Sequence, residues 1–246
     1  MGMRIIISAI ALLSSMVNSV DARDTVSVHT GIDTFEVDVF RQRQEAGRPA
    51  LIILGGSKGL GAPAYDEIGA SFMAAGFNVY LPHLLSPEDL AAIASAKDAG
   101  SRIAYYRDQR QHLLAKLRTL AAMLQSQGYK GKTALLGISL GAETAAIAVS
   151  EGLSVNAAVL VSGVPSASSD FSQSTTPLHL LWGSDDAVYS LSKAKKFMQL
   201  AKQAGGTATL TVYEGAPHDF FLRPGTEQAR KAYADAIRFL MSQLKK

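Results

Sequence analysis

The sequence contains no cysteine, which excludes disulfide bonds as a source of stability. It also has no internal repeat, no low-complexity stretch and no linker long enough to separate two domains. The 24 basic residues are scattered among 21 acidic ones and give a net charge of +3, so the pattern indicates no nucleic-acid surface. No two histidines have the spacing of metal ligands, and we expect neither a metal nor another cofactor.

Apolar runs long enough to cross a bilayer are also lacking. The run at 5–13 follows Arg4 and is too short to span a membrane. Val20 and Ala22 then supply small residues at positions −3 and −1 of a cleavage site. This pattern predicts a signal peptide at 1–22, export to the periplasm or the medium, and no stable membrane insertion after cleavage. The alternative interpretation is a buried first strand.

The 246 residues, 48% of them hydrophobic, are enough for one α/β domain, expected at 23–246. Strands are predicted at 34–40, 49–54, 77–81, 132–138, 155–161, 177–183 and 207–213. Helices are predicted at 63–76, from 86 onward, and at 101–127, 190–204 and 226–244. This alternation indicates a doubly wound, mostly parallel sheet with helices on both faces, as a monomer or small homo-oligomer. The short connection after 155–161 predicts a small lid or none.

Residues 137–141 read Gly-Ile-Ser-Leu-Gly and follow an apolar strand candidate. This G-x-S-x-G pattern is typical of a nucleophile elbow, a sharp strand-to-helix turn that exposes the hydroxyl of its central serine, here Ser139. Gly137 and Gly141 stand where strand and helix come so close that a Cβ would clash. The alternative is an ordinary turn that happens to carry a serine.

Two later strand ends carry the residue types that would activate such a serine. Asp186 comes just after the strand at 177–183, and His218 follows the strand at 207–213. In parallel sheets ligands bind at the carboxyl ends of the strands, so we expect these side chains near Ser139. Asp185 and Asp170 remain alternatives for the acidic residue.

The chain therefore resembles the α/β-hydrolase superfamily, whose triads follow the chain order Ser, Asp, His, and within it the dienelactone-hydrolase-like group. The resemblance covers roughly residues 35–245 and depends on 137–141, on the turn at 183–188, and on His218 with Phe220. The best-known dienelactone hydrolases use a cysteine nucleophile, which this chain lacks, so the resemblance here implies serine-esterase chemistry. Residues 51–80 are also similar to acyl-CoA thioesterases and acyltransferases of the bile-acid-CoA type.

The chemistry expected of these residues is acyl transfer to a serine. His218 would take the proton of Ser139 and return it to the leaving group, while Asp186 would orient the imidazole. The N–H of Leu140 and, by the resemblance, the N–H of Gly56 would stabilise the oxyanion. The loop that holds Gly56 lacks the lysine-hydroxyl pattern of a phosphate-binding loop.

The remaining histidines and one arginine have less specific interpretations. His83 follows a strand end and is a candidate for lining the pocket, whereas His179 lies inside a strand and is expected in the sheet. His112 is expected to be solvated on a helix, and Arg223 is expected at the surface.

The leading hypothesis is an exported serine hydrolase of a small carboxylic ester or thioester. An acyltransferase with the same three residues is one alternative, and only acceptor-dependent product formation would distinguish it, because nothing in the sequence excludes water from an acyl-enzyme. A non-catalytic binding protein with a relic triad is the other.

Overall fold

A computed structural model of the chain describes five stretches, residues 23–31, 33–41, 47–129, 132–165 and 174–244. The signal peptide predicted at 1–22 lies outside the described residues. So do residues 166–173, in the connection that the prediction of a small or absent lid concerns. Within the described stretches, no helix is both long enough and apolar enough to span a membrane.

Strands and helices alternate along most of the described chain. The strands are β1 (Asp24–His29), β2 (Thr34–Phe40), β3 (Ala50–Leu54), β4 (Asn78–Pro82), β5 (Thr133–Ile138), β6 (Ala157–Val161), β7 (Leu178–Gly183) and β8 (Ala208–Tyr213). The α-helices are α1 (Ala64–Ala74), α2 (Pro87–Ser95), α3 (Ala99–Asp108), α4 (Arg110–Leu124), α5 (Leu140–Ser150), α6 (Leu191–Gln203) and α7 (Glu227–Leu244). Each predicted strand is confirmed to within about two residues, the usual uncertainty of element boundaries.

The strands form one sheet in the order β1-β2-β4-β3-β5-β6-β7-β8. The pairs β1–β2 and β2–β4 are antiparallel, and every later pair is parallel. This confirms the predicted doubly wound, mostly parallel sheet. The edge strand β1 was not predicted from the sequence, and three of its six residues are exposed.

Helices cover both faces of the sheet, and alternate residues of β3 pack against the helices on the two faces. Successive residues of a strand point to opposite faces, so Ile52 and Leu54 join the core beneath α4, α5 and α6. Leu51 and Ile53 join the core beneath α1 and α7. All four side chains are buried, which is why a central parallel strand is a continuous apolar run in the sequence.

The predicted single helix at 101–127 is instead two helices and a turn. The helix is interrupted at Gln109, between α3 and α4, where the backbone is at φ −77° and ψ −5°. A turn at Gln125–Tyr129 follows, and within it Gly128 leaves the helical conformation at φ +98°, which favours glycine. Periodicity did not reveal the break, because Tyr106 before it and Leu113 after it are buried in the same core.

Candidate active site

Ser139 occupies the turn between β5 and α5, with φ +57° and ψ −119°. A non-glycine residue rarely adopts a positive φ, and here the surrounding close packing imposes it. A Cβ at Gly137 would lie 2.4 Å from the carbonyl oxygen of Gly141, and one at Gly141 would lie 2.4 Å from that of Leu54. Both glycines are therefore required by contacts between backbones, as the G-x-S-x-G pattern predicts.

His218 reaches Ser139 from the loop after β8. Its Nε2 lies 2.9 Å from Ser139 Oγ, although 79 residues separate the two in the sequence. The imidazole is about one quarter exposed, so it stands at the border between the protein interior and solvent. From this position the imidazole can exchange a proton with the serine and with the leaving group of a bound substrate.

Asp186 holds the other side of the imidazole from the turn after β7. Its Oδ2 and Oδ1 lie 3.0 and 3.1 Å from His218 Nδ1, and Oδ1 also accepts the N–H groups of Val188 and Tyr189. Burial alone would raise the pKa of Asp186, but the hydrogen bonds from His218 and from the two N–H groups outweigh it and lower that pKa. Asp185 is exposed and bonds Ser184 instead, and Asp170 lies outside the described residues.

Two backbone N–H groups are candidates for binding an oxyanion. Leu140 begins α5, so its N–H has no partner within the helix. Gly56 lies against the serine, since a Cβ on it would be 3.3 Å from Ser139 Cβ. The N–H of Gly56, however, donates to the hydroxyl of Tyr65 over 3.3 Å. No pattern in the sequence indicated a role for this tyrosine, which reaches the loop from α1.

A cleft opens beside this loop. Its walls are largely apolar, with Gly55, Gly56, Gly59, Leu60, Pro82, His83, Leu84, Leu85, Leu90 and Tyr106 as lining residues. His83 is thus at the cleft, as the sequence suggested, and its Nε2 lies 2.6 Å from the buried Asp38. A cleft with such walls suits an acyl chain better than a charged group.

The other residues considered from the sequence lie elsewhere. His179 is buried in β7, within 2.6 Å of Thr209 Oγ1, and burial lowers its pKa. His112 is exposed on α4, and Arg223 is exposed and paired with Asp219. Among the described residues, no group of three or more histidine, aspartate or glutamate side chains is placed to hold a metal ion.

Two further residues, Tyr189 beside His218 and Glu143 behind it, were assigned no functional role from the sequence. The ring of Tyr189 lies nearly parallel to the imidazole of His218, and its hydroxyl bonds the buried carboxylate of Glu143. The only signals for them were local ones. Tyr189 lies three residues after Asp186, and Glu143 lies one helical turn after Ser139.

The arrangement suits proton transfer coupled to nucleophilic attack. When the N–H at Nδ1 of His218 donates a hydrogen bond to Asp186, Nε2 presents a lone pair to Ser139 Oγ. A substrate carbonyl above the serine would find the start of α5 beside it, where backbone N–H groups and the helix dipole favour negative charge.

Comparison with known sequences gives one positive result and one negative one. The sequence model of the dienelactone hydrolase family matches residues 35–246. A search of curated proteins finds no match to this chain.

Solved structures share the fold at low sequence identity. A dienelactone hydrolase from Anabaena variabilis is 15% identical with a TM-score of 0.70, over 90% of this chain and 98% of that one. A dienelactone hydrolase-like promiscuous phosphotriesterase from metagenomic libraries is 16% identical with a TM-score of 0.75, over the same shares. An esterase from Pyrococcus furiosus is 16% identical with a TM-score of 0.67, over 91% and 93%. The sheet and its helices are thus those of the α/β-hydrolase fold.

Proposed function

The chain belongs to the dienelactone hydrolase family and is therefore a carboxylic-ester hydrolase, and from that premise we propose that it acts through an acyl-enzyme on Ser139. The observation that carries the proposal is the continuous line of hydrogen bonds from Ser139 Oγ to His218, 2.9 Å, and from His218 to Asp186, 3.0 Å. A serine hydroxyl is a weak nucleophile at neutral pH and needs a base at this distance.

In the proposed mechanism His218 serves first as a base and then as an acid. Ser139 Oγ bonds to the acyl carbon while its proton passes to His218 Nε2, and the carbonyl oxygen becomes an oxyanion near Leu140 N–H and Gly56 N–H. Collapse of the intermediate expels the alcohol or thiol, which takes that proton. Water then attacks the acyl-enzyme with His218 as base, releasing the carboxylic acid and restoring Ser139.

Gly56 can serve in this scheme only if it changes partners. Its N–H gives a long hydrogen bond of 3.3 Å to the neutral hydroxyl of Tyr65. Hydrogen bonds to a charged acceptor are shorter and roughly twice as strong. An oxyanion above Ser139 would therefore compete successfully with Tyr65 for this N–H.

The substrate we propose is an ester or thioester with a modest-sized acyl group. The residues that line the cleft beside the Gly56 loop include four leucines, which favours an apolar acyl group. The triad geometry is equally suited to an oxygen and a sulfur leaving group.

We propose in addition that the protein is exported after cleavage following Ala22. Arg23 would then be the first residue, and its guanidinium binds Asp38 and Asp66. N-terminal sequencing of protein recovered from the periplasm or the medium should begin at Arg23, and a chain that still begins at Met1 would contradict export.

Covalent labelling tests the catalytic proposal directly. The mature protein and Ser139→Ala are treated with a fluorophosphonate probe and analysed by intact mass. We expect one adduct on the unmutated protein and none on the variant, together with loss of activity on an activated ester. An unlabelled but folded protein would contradict the proposal and favour a relic site.

A substrate panel then defines the reaction. It contains esters and thioesters of graded acyl length, with and without an alcohol acceptor, because product that forms only with the acceptor would indicate acyl transfer. One activated phosphotriester is included, since the metagenomic relative is described as a promiscuous phosphotriesterase.

A further inference from the structure

Glu143 is a buried carboxylate that the proposed mechanism leaves unused. It lies on α5 one turn after Ser139 and is 2% exposed. Arg107 donates to both of its oxygens at 2.9 Å, and Arg110 donates to Oε1 at 2.7 Å. The hydroxyl of Tyr189 donates to Oε2 at 3.0 Å. A buried charge needs this degree of pairing to be tolerated, and here two guanidinium groups and a phenol provide it.

Tyr189 is fixed at three separate points. Its N–H donates to Asp186 Oδ1 at 2.8 Å, and its carbonyl accepts from the indole N–H of Trp182 at 2.7 Å. The third point is the bond from its hydroxyl to Glu143. Burial and the Glu143 carboxylate raise the pKa of Tyr189, so the phenol remains a neutral donor. The backbone bonds hold the residue, and the hydroxyl, which interacts with Arg107 as well as with Glu143, fixes the far end of the ring.

The ring held in this way lies on the imidazole of His218. The two ring planes are 16° apart and their centroids 5.9 Å apart. Lys193 Nζ lies 5.6 Å from the same tyrosine ring, and Asp186 faces the imidazole edge. A flat neighbour restricts tilting of the imidazole, and an aromatic face also attracts the imidazolium that forms during attack.

We propose that Glu143 and Tyr189 are positioning residues for His218. Glu143, held by Arg107 and Arg110, fixes the Tyr189 hydroxyl, and the tyrosine ring then keeps the imidazole in line with Ser139. This inference rests on the proposed function, because it assigns a partner to the general base. It also links α3 and α4, which carry the two arginines, to the catalytic residues.

The test compares Tyr189→Phe, Glu143→Gln and the double variant on an activated ester. Each single substitution should lower kcat about tenfold and leave KM within about twofold, since the effect is on alignment rather than on binding. The double variant should be no slower than the slower single one, because both changes act on the same hydrogen bond: Tyr189→Phe removes its donor, and Glu143→Gln replaces its charged acceptor with a neutral amide. The rate of fluorophosphonate labelling should fall in parallel with kcat.

Tyr105→Phe is the matched control, because it removes another tyrosine–carboxylate bond, to Asp89 at 2.7 Å, whose two partners are neither Tyr189 nor Glu143. It should keep the parental kcat. Tyr189→Phe keeps a ring and loses one oxygen, so it remains informative even if Glu143→Gln, which leaves two arginines unpaired, does not fold.

Two results would overturn this inference and leave the proposed function intact. One is a parental kcat in Tyr189→Phe while the unmutated protein is labelled at Ser139. The other is a double variant in which the two losses multiply, which would mean that the residues act independently. Failure of the unmutated protein to be labelled would instead overturn the proposed function, and the inference with it.

Discussion

Gly163 lies directly against the backbone of Ser139, such that a Cβ on Gly163 would be 1.9 Å from the Ser139 carbonyl oxygen. Just before it, the carbonyl of Val161 at the end of β6 accepts the Ser139 N–H at 2.8 Å. The strained turn at Ser139 is thus supported by the neighbouring strand as well as by its own flanking glycines. A strained backbone persists only where its surroundings determine it in this way.

Gly163→Ala should destabilise the protein and abolish activity, because the new methyl group and the Ser139 carbonyl cannot occupy the same space. We expect a loss of at least about 2 kcal/mol in the free energy of unfolding, typical of severe overpacking. Chemical denaturation measures it. Gly225→Ala is the control, since a Cβ there meets nothing within 4 Å, and equal losses in the two variants would contradict this explanation.

Tyr65→Phe tests whether the Gly56 N–H is an oxyanion donor. If it is, the variant still has that N–H, and its kcat/KM should stay within about threefold of the parent. Loss of a donor would instead cost about a hundredfold or more. The substitution removes only the hydroxyl that this N–H contacts. Burial raises the pKa of Tyr65 to about 12, so the parent holds a neutral phenol there throughout the assay range. Steady-state kinetics on an activated ester checks this, and a loss above tenfold would indicate that the Tyr65 hydroxyl is itself a donor.

The sequence was informative where a constraint is local. The turn at Ser139 requires glycine two residues before and two residues after the serine, and the G-x-S-x-G pattern at 137–141 contains both glycines. Asp186 was preferred from the sequence, but Asp185 remained an alternative because both follow β7, and only their burial and their hydrogen bonds distinguish them. Gly163 and Tyr65 were not predicted, because each acts on a residue of another element and no periodicity connects distant elements.

His179 should make stability depend on pH. Burial lowers its pKa below the usual 6.5, so in mildly acidic solution the unfolded chain binds more protons than the folded protein. Stability should therefore fall as pH decreases from about 7 to 5, by at most about 1.4 kcal/mol per pH unit from this group. Denaturant titrations across this range should show a smaller slope for His179→Gln, and an unchanged slope would contradict the assignment.

Asp186→Asn should lower kcat by about a thousandfold to ten-thousandfold, because an amide in place of the carboxylate favours the wrong imidazole tautomer and does not stabilise the imidazolium. Steady-state kinetics and fluorophosphonate labelling at neutral pH measure the loss. Since hydrogen bonds lower the pKa of Asp186, the parent keeps its carboxylate throughout the neutral and mildly acidic range, and only strong acid should imitate the variant.

Asp185→Asn is the matched control for this prediction. It makes the same chemical change one residue away, at an exposed side chain that bonds only Ser184 among the described contacts, so activity should stay near the parental value. Asp170→Asn extends the comparison to the loop outside the described residues. If Asp186→Asn stays active while either of the other two loses activity, the carboxylate that orients His218 comes from that other position.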